Sequence, residues 1–403
     1  MGKIIVPDAS EFPTRADVVI IGGGILGAVT AFHASRAGLD TVVLEMRDGL
    51  ATLTTTASVE CFRAQFSEPE NVAMMKASIK VFENFPEVIG VPGYDIGLHQ
   101  QGYLFYTDAP EGPQTLRAQV EHQQSIGLDD VEFLNGDEVR RRFPWASPKV
   151  TAATYRAGDG WLSTHELTHG FAKGSEALFL LRTKATGIKL GSQGIEGVET
   201  NRGHISTRTV VIAAGPFSGR VAGLAGLELP VEILRRQKVV IGQAPAIPQD
   251  APMTISLPSG AHWRPEVGGA AIGWATAIPE EPSEPLEKVP TDWTFPAVAI
   301  EEVSKLAPFW EEVAGRLTRD SVFLSAGQYT CTPDSKPILG PSPDVEGLFF
   351  NLGYSGHGIM AAPEGSRYVV AMITGLMSDE DNPFSYQRFV RGEVIVSKEK
   401  MVI

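Results

Sequence analysis

"DVVIIGGGILGAVTAFHASRAGLDTVVLE", residues 17–45, places three glycines between two runs of β-branched residues and ends on a glutamate. The two apolar runs predict buried parallel strands over residues 16–21 and 41–45. Residues 24–37 between them predict a helix. The stretch therefore predicts a compact βαβ unit near the start of the chain.

The glycines of this unit predict a nucleotide site. They follow G-x-G-x-x-G directly between strand and helix, so backbone amides and the helix N-terminus face a pyrophosphate while Gly27 lets helix and strand pack closely. Glu45 is placed to accept ribose hydroxyls, and a glutamate there disfavours a 2′-phosphate. The predicted ligand is FAD or NAD. Its predicted contacts in this unit are Gly22, Gly24, Ile25, Leu26, Gly27, Glu45, Met46 and Arg47.

Composition excludes several classes of protein. The chain has 403 residues, 43% of them hydrophobic and 20% charged, which predicts a globular protein of two domains. Its net charge of −14, without a basic block, disfavours nucleic acid as a partner. We expect a soluble cytoplasmic protein, because no membrane-spanning run or signal peptide is evident. Cys61 and Cys331 are the only cysteines, which excludes a disulfide framework and a cysteine-based metal site within this chain.

The rest of the chain alternates between two kinds of segment. Residues 209–215 and 347–353 predict fully buried strands, whereas residues 91–156 and 232–325 predict antiparallel strands with one solvent-exposed face. The Pro- and Glu-rich stretch 278–296 predicts a solvated connection within a domain. Nucleotide-type segments therefore occur at the start, middle and end of the chain, which indicates a discontinuous domain.

A second glycine-rich turn favours FAD over NAD. Residues 347–375, "GLFFNLGYSGHGIMAAPEGSRYVVAMITG", predict a strand, a turn and a helix, and this helix aims a second dipole at an anionic group. Negative charge develops at the N1–C2=O edge of a flavin on reduction, whereas nicotinamide needs no such stabilisation.

Taken together, the motifs resemble the FAD-dependent amine and amino-acid oxidases of the D-amino-acid oxidase type, most closely the sarcosine oxidase and dimethylglycine dehydrogenase branch. They run in order along the chain from residue 19 to residue 365: "VIIGGGILGAVTAFHASRAG", "CFRAQFSEPEN", "AGDGWLSTHELTHGFAKGSEA", "VVIAAGPFSG", "HWRPEVGG", "QYTCTPDSKPILG" and "LGYSGHGIMAAPEG".

The resemblance implies a mixed α/β fold. One part is a glutathione-reductase-like FAD-binding Rossmann domain, and the other is a substrate domain with a mixed or mostly antiparallel sheet over the flavin. We predict an FAD domain from residues 1–90, 150–228 and 328–403, and a substrate domain from residues 91–149 and 229–327. The implied reaction is oxidation of a carbon–nitrogen bond by hydride transfer to flavin N5, giving an imine that water hydrolyses.

Two side chains are implied to contact the substrate. Arg63 matches an arginine near the substrate carboxylate, and its guanidinium suits a bidentate contact; a surface salt bridge is the alternative. Tyr329 matches a tyrosine of the sarcosine branch, where relatives acting on glycine or primary D-amino acids carry an arginine. This favours secondary or tertiary amines, although a core tyrosine is the alternative.

The carboxy-terminal turn is implied to lie beside the flavin, where its amides donate to the C2 carbonyl. His357 in this turn is either a functional or a structural histidine. The implied flavin contacts outside the first unit are Ala214, Gly215, Gly353, Gly356, His357, Gly358, Ile359 and Met360.

Two further pairs of residues are candidates for a site. His262 and Arg264 share one face of a predicted strand, so Arg264 is either a second carboxylate ligand or a solvent-facing arginine. His165 and His169 stand four apart on a predicted helix, but no carboxylate or cysteine cluster completes a metal shell, so no metal is predicted.

The chain departs from the sarcosine oxidases at three positions. Gly327 replaces the cysteine that bonds to flavin, which implies noncovalent FAD. Gly273 replaces a lysine that speeds reaction with oxygen, and Met360 replaces a lysine that binds the substrate carboxylate. The electron acceptor is therefore a protein, a quinone or oxygen, and a partner subunit is compatible with the pattern.

The leading hypothesis is a noncovalent FAD enzyme that oxidises a carboxylate-bearing secondary or tertiary amine, such as sarcosine, dimethylglycine or proline. One alternative is a 2-hydroxy-acid or alcohol dehydrogenase on the same scaffold. Another is an electron-transfer flavin subunit without its own turnover.

Overall fold

The structure is a computed structural model and describes residues 1–274 and 282–393. In chain order the strands are β1 (Lys3–Ile5), β2 (Val18–Ile21), β3 (Thr41–Leu44), β4 (Cys61–Phe62), β5 (Tyr103–Thr107), β6 (Glu132–Asn135), β7 (Ala152–Arg156), β8 (Gly160–Trp161), β9 (Leu178–Leu180), β10 (Ala185–Gly191), β11 (Gly194–Thr200), β12 (Gly203–Ser206), β13 (Thr209–Ile212), β14 (Glu232–Ile241), β15 (Met253–Ser256), β16 (Ala261–Glu266), β17 (Gly269–Trp274), β18 (Val322–Cys331), β19 (Ile338–Pro341) and β20 (Leu348–Leu352).

The α-helices pack on these strands. They are α1 (Ile25–Arg36), α2 (Thr54–Ala57), α3 (Pro69–Glu83), α4 (Phe85–Ile89), α5 (Gly112–Ser125), α6 (Gly136–Arg142), α7 (Thr164–Gly174), α8 (Ser218–Gly223), α9 (Phe295–Ser304), α10 (Phe309–Ala314), α11 (Gly358–Ile373) and α12 (Gln387–Val390).

A seven-stranded sheet carries the predicted βαβ unit. Its order is β1-β9-β3-β2-β13-β20-β19, and every neighbouring pair is parallel except β20 and β19. Strands β2 and β3 are buried along their whole length, as their continuous apolar runs predict. Helices α1, α3, α7 and α11 cover one face, and the three-stranded sheet β10-β11-β12 packs against the other. The prediction of a mixed α/β fold is confirmed.

An eight-stranded mixed sheet forms the second layer, in the order β18-β14-β17-β16-β15-β5-β7-β6, with only β15 and β5 parallel. The prediction of one solvent-exposed face is wrong for β5, β7 and β15 to β17, which are buried, whereas the edge strands β6 and β18 carry exposed residues. Strands β5 and β7 are buried throughout, because Leu104, Tyr106, Ala153 and Tyr155 pack in a core with α6, while Tyr103 and Phe105 on the opposite face pack against the β4-β8 ribbon. Alternate side chains of these strands therefore point into two different buried environments.

Two predicted domain boundaries do not match the sheets. Strand β7 pairs with β5 and β6 in the eight-stranded sheet, although residues 150–228 were assigned to the FAD domain. Strand β18 continues across the predicted boundary at residue 328, because it pairs with β14 over its full length. The predicted loop 278–296 and carboxy-terminal segment lie partly outside the described residues, at 278–281 and 394–403.

Gly27 sets the distance between α1 and β2. A Cβ at this position would lie 1.8 Å from the carbonyl oxygen of Gly22, which is backbone and has little freedom to move. We expect Gly27→Ala to lower the free energy of unfolding by about 1–3 kcal/mol or more, as overpacking does. Urea unfolding followed by circular dichroism measures this effect.

Gly219→Ala is the matched control, because a Cβ at Gly219 meets no atom within 4 Å. A Gly27→Ala protein as stable as this control would contradict the proposed close contact.

Candidate active site

A long cavity of about 390 Å³ lies at the carboxyl ends of β2, β3, β13 and β20. The carboxyl ends of the strands are where open α/β sheets bind ligands. The predicted cofactor contacts that line it are Gly22, Gly24, Ile25, Leu26, Glu45, Met46, Arg47, Ala214, Gly215, Gly353, Gly356, Gly358 and Ile359. Among the other predicted contacts, Gly27 packs behind the loop, and His357 and Met360 line a second cavity.

Glu45 lies at one end of the long cavity. Its carboxylate accepts hydrogen bonds from the backbone N–H groups of Gly23 and Arg47, each at 2.8 Å. Burial raises the pKa of this carboxyl group above its ordinary value, and the two N–H donors oppose that rise. The acceptor therefore has a fixed orientation beside the glycine loop.

Glycines at the other end require left-handed backbone. Gly353 has φ 74° and Gly356 has φ 97°, so side chains at these positions would strain the turn. The turn leads into α11, a helix of 16 residues whose N-terminus faces this region. Two helix N-termini, those of α1 and α11, thus converge on one elongated cavity, which suits an anionic ligand.

Sequence reasoning missed two walls of this cavity. Residues 51–55 and Ser58 line it, as do residues 183–185. Thr54 Oγ1 donates to the Gln328 carbonyl at 3.0 Å, and Thr55 Oγ1 accepts from the Ile25 N–H at 3.4 Å. The run of small and hydroxyl-bearing residues "ATLTTTAS" after Glu45 was the available signal.

The same loop explains Gly327. A Cβ at Gly327 would lie 2.8 Å from the Cβ of Ala57 in α2. The space in which a side chain would point from this position is therefore filled by the loop.

A smaller cavity of about 60 Å³ adjoins the first, and Tyr329, Ser58, Gly356 and Ile359 line both. It brings together four of the predicted substrate-contacting residues, Arg63, His262, Tyr329 and His357. Its remaining lining residues are Ser58, Val59, Glu60, Cys61, Tyr103, Met253, Gly356, Ile359 and Met360.

Arg63 is buried, with 2% of its surface exposed, so the alternative of a surface salt bridge is wrong. Its guanidinium carbon lies 4.0 Å from the ring centre of Phe66 and 5.3 Å from that of Phe105. The guanidinium also donates to the carbonyl of Gln65, whose side chain contacts Asp159 at 3.2 Å. The charge is therefore held in a low-dielectric site by aromatic faces and a buried polar network.

Both cavity histidines are neutral near pH 7. Burial lowers the pKa of His262 to about 4 and that of His357 to about 3. His357 packs edge-on against Phe66, with ring centres 5.0 Å apart. Burial also raises the pKa of Tyr329 above its ordinary value, so its hydroxyl stays protonated.

Arg264 does not line either cavity, which contradicts its prediction as a second carboxylate ligand. Its guanidinium is 2% exposed, donates to Glu60 and the Val59 carbonyl at 2.8 Å each, and pairs with Glu266. The protein's own carboxylates thus already satisfy it. The prediction that it shares a strand face with His262 did not consider these partners.

Lys238 was also missed by sequence reasoning. Its Nζ donates to the carbonyls of Thr56 and Ser58 at 3.2 and 2.6 Å, and burial lowers its pKa. Lys238 and Arg264 therefore fasten the segment that separates the two cavities. The sequence signal that could have identified it is a lysine beside the apolar residues of a predicted strand, in "RRQKVVI".

His262 occupies the space over Gly273. A Cβ at Gly273 would lie 2.2 Å from His262 Nε2, and the two residues are register partners on neighbouring strands. A long side chain at position 273 is incompatible with this histidine. The absence of the lysine expected from the resemblance thus has a steric reason.

Two other features bear on metals and membranes. His165 and His169 lie on α7 with ring centres 4.1 Å apart, and within residues 1–274 and 282–393 no three His, Cys, Asp or Glu side chains are grouped to hold a metal ion. In the same part of the chain, no helix is both long and apolar enough to cross a bilayer.

Residues 17–372 match the family described as FAD dependent oxidoreductase. The chain belongs to this family. The residues of the long cavity fit FAD, because they supply two helix N-termini for its anionic groups and a fixed carboxylate for its ribose. The chain is therefore an FAD-dependent oxidoreductase.

Individual relatives agree with this assignment. The chain is 28% identical to FAD-dependent oxidoreductase domain-containing protein 1 of Bos taurus, over 94% of this chain and 86% of that protein. It is 26% identical to mitochondrial dimethylglycine dehydrogenase of Rattus norvegicus, over 91% of this chain but only 44% of that protein. Among solved structures it is similar to L-proline dehydrogenase of P. horikoshii, with a TM-score of 0.83, 26% identity, and 95% and 100% of the two chains covered.

Glu45 provides a test of the FAD site. We expect Glu45→Ala to weaken FAD binding by about 10- to 100-fold, since hydrogen bonds to charged groups contribute about 1.5–3 kcal/mol. Quenching of flavin fluorescence during titration of the apoprotein measures the dissociation constant. The FAD affinity of Glu45→Gln, which keeps one acceptor, should lie between those of the wild type and Glu45→Ala. Wild-type affinity in Glu45→Ala would contradict a role for Glu45 in FAD binding.

His262 provides a test of burial. Its folded-state pKa is lowered to about 4 from an ordinary 6.5, so the stability it confers is full above pH 6.5 and is lost as pH falls towards 4. Between pH 7 and pH 5 the free energy of unfolding of the wild type should fall by about 2 kcal/mol, because the imidazole of His262 gains a proton on unfolding. The His262→Gln protein should not show this loss. Chemical denaturation of both proteins at the two pH values measures the difference, and parallel pH dependences would contradict a buried neutral imidazole.

Proposed function

We propose that this enzyme dehydrogenates the carbon–nitrogen bond of a small secondary or tertiary amine that carries a carboxylate. The observation that carries the proposal is Arg63, a buried guanidinium in a small cavity that shares four lining residues with the FAD cavity. FAD supplies the redox chemistry when it is bound, by accepting two electrons and a proton from the substrate.

Charge in the small cavity supports an amino-acid substrate. Among the described residues that line it, Arg63 is the cation, because His262 and His357 are neutral. Glu60 also lines the cavity, but its carboxylate pairs with Arg264. We infer that Arg63 binds the substrate carboxylate bidentately and fixes the amine end towards FAD.

The remaining lining supports a small, partly apolar substrate. Met253, Met360 and Ile359 exclude water, and the hydroxyl of Tyr329 is a protonated donor at the boundary of the two cavities. A volume of about 60 Å³ holds roughly four to six water molecules. Sarcosine, dimethylglycine and proline are of this order of size. The dehydrogenase relatives act on such substrates by name, which supports the same class here.

We infer a dehydrogenase rather than a fast oxidase. His262 fills the place over Gly273, where the resemblance expects the lysine that speeds reaction with oxygen. A protein or a quinone is therefore the proposed electron acceptor, with a partner subunit as one such protein.

The direct test is anaerobic titration of the FAD-loaded protein with sarcosine, dimethylglycine, L-proline, D-amino acids and matched 2-hydroxy acids. We expect an N-alkyl amino acid to bleach the flavin absorbance near 450 nm within turnover times, and slow reoxidation when air is readmitted. Reduction by hydroxy acids alone would instead support an alcohol dehydrogenase. Reduction by dithionite alone would support an electron-transfer subunit.

Arg63 is tested by comparing a substrate with its neutral amide. We expect Arg63→Met to lower kcat/KM for the carboxylate about 100-fold or more, since truncating a buried charge pair costs about 2–5 kcal/mol. Activity on the amide should change little, so the preference for carboxylate over amide collapses. An equal loss on both compounds would show that Arg63 has only a structural role.

A further inference from the structure

A proline-rich segment without helix or strand, residues 282–292, crosses from the edge of the eight-stranded sheet to the long cavity. We call it the strap. Glu287 of the strap lines the cofactor cavity, and the side chain of Gln328 fastens the strap to the edge strand β18. The strap lies within the stretch 278–296, which the sequence predicts to be a solvated connection.

Gln328 holds the strap through three hydrogen bonds. Its side-chain Oε1 accepts from the N–H of Leu286 at 2.8 Å, and its Nε2 donates to Ser283 Oγ at 3.0 Å and to the Glu284 carbonyl at 2.8 Å. Gln328 is 1% exposed, whereas Glu284, Leu286 and Glu287 are exposed. A buried amide therefore anchors an otherwise solvent-facing segment, and each of its polar groups has a strap partner.

Other contacts on the sheet side reinforce this anchor. The N–H of Ser283 donates to the Ile233 carbonyl at 2.8 Å, and the N–H of Asp292 donates to Gln237 Oε1 at 2.6 Å. Arg235 donates to the Pro290 carbonyl at 3.3 Å. These contacts come from β14, so both ends of the strap are fixed to the eight-stranded sheet.

Contacts on the cofactor side are fewer and more exposed. Arg47 Nη1 donates to the Glu287 carbonyl at 3.0 Å, and Arg220 pairs with Glu284 at 3.2 Å. The Arg220 and Glu284 side chains are 56% and 84% exposed, so this ion pair contributes little. Arg47 and Arg220 both line the FAD cavity, so the strap touches two walls of the cofactor site.

We propose that the strap is the outer wall of the FAD site and that FAD leaves through the opening it covers. The asymmetry of its contacts supports this: Gln328 holds the strap to the sheet, while two solvent-accessible polar contacts hold it against the cofactor side. Gln328 itself lines the FAD cavity. It is then a positioning residue that retains the cofactor by holding the strap, and its side chain takes no part in the oxidation of substrate.

The test compares Gln328→Leu with Gln101→Leu. Leucine keeps most of the glutamine volume and removes the three hydrogen bonds. Gln101 is a matched control, because its Nε2 also fastens a loop through two carbonyls, those of Gln249 and Ala251 at 3.1 and 3.0 Å, but it lines neither cavity. The increase in flavin fluorescence after dilution of the FAD-loaded protein measures release. We expect release to be at least about tenfold faster in Gln328→Leu and unchanged in Gln101→Leu.

A second measurement on the wild-type protein covers the case in which Gln328→Leu fails to fold. The strap contains one tryptic site, the exposed Lys288–Val289 bond. We expect trypsin to cleave this bond several-fold faster in the apoprotein than in the FAD-loaded protein, with the fragment ending at Lys288 quantified by mass spectrometry. Equal cleavage rates with and without FAD, or unchanged FAD release in a folded Gln328→Leu protein, would overturn the proposal.

Discussion

The contact between Gly27 and the carbonyl of Gly22 is the constraint on which the site depends. It brings α1 against β2 so closely that the helix N-terminus and the amide of Gly23 lie beside Glu45. The loop that walls the long cavity is tied to the same unit, because the Ala51 N–H donates to the Gly23 carbonyl at 3.1 Å and Thr55 Oγ1 accepts from the Ile25 N–H at 3.4 Å. A larger residue at Gly27 would displace the helix, and with it one of the two dipoles that face the long cavity.

The active site is built where two sheets meet, and one short segment joins its halves. Residues 54–60 line the FAD cavity on one side and approach Arg63 on the other. Two buried cations of the eight-stranded sheet, Lys238 and Arg264, hold this segment through its carbonyls and Glu60. Their charge stabilises the loop, while Arg63 is held apart from them over aromatic rings. Lys238 and Arg264 are therefore structural cations, whereas Arg63 is the cation proposed to bind substrate.

The sequence predicted features that depend on local pattern. The βαβ unit, Glu45 and the turn before α11 are each specified within a short stretch, because glycine positions and apolar runs constrain the backbone directly. Gathering Arg63, His262, Tyr329 and His357 in one cavity required the resemblance to a family, since these residues come from distant segments.

The wrong or missing predictions concern partners that pattern alone does not specify. Arg264 was misassigned because its partner Glu60 is 204 residues away in sequence. One face of the second sheet was expected in solvent, but β5 and β7 are buried on both faces, because alternation looks the same when two buried environments differ in chemistry. The central claim is that a substrate carboxylate binds Arg63 above the flavin. A crystal structure of the FAD-loaded protein with tetrahydrofuran-2-carboxylate, a non-amine analogue of proline, tests it most directly. The account predicts the carboxylate within hydrogen-bonding distance of the Arg63 guanidinium and the ring facing the flavin; a carboxylate bound away from Arg63 would contradict it.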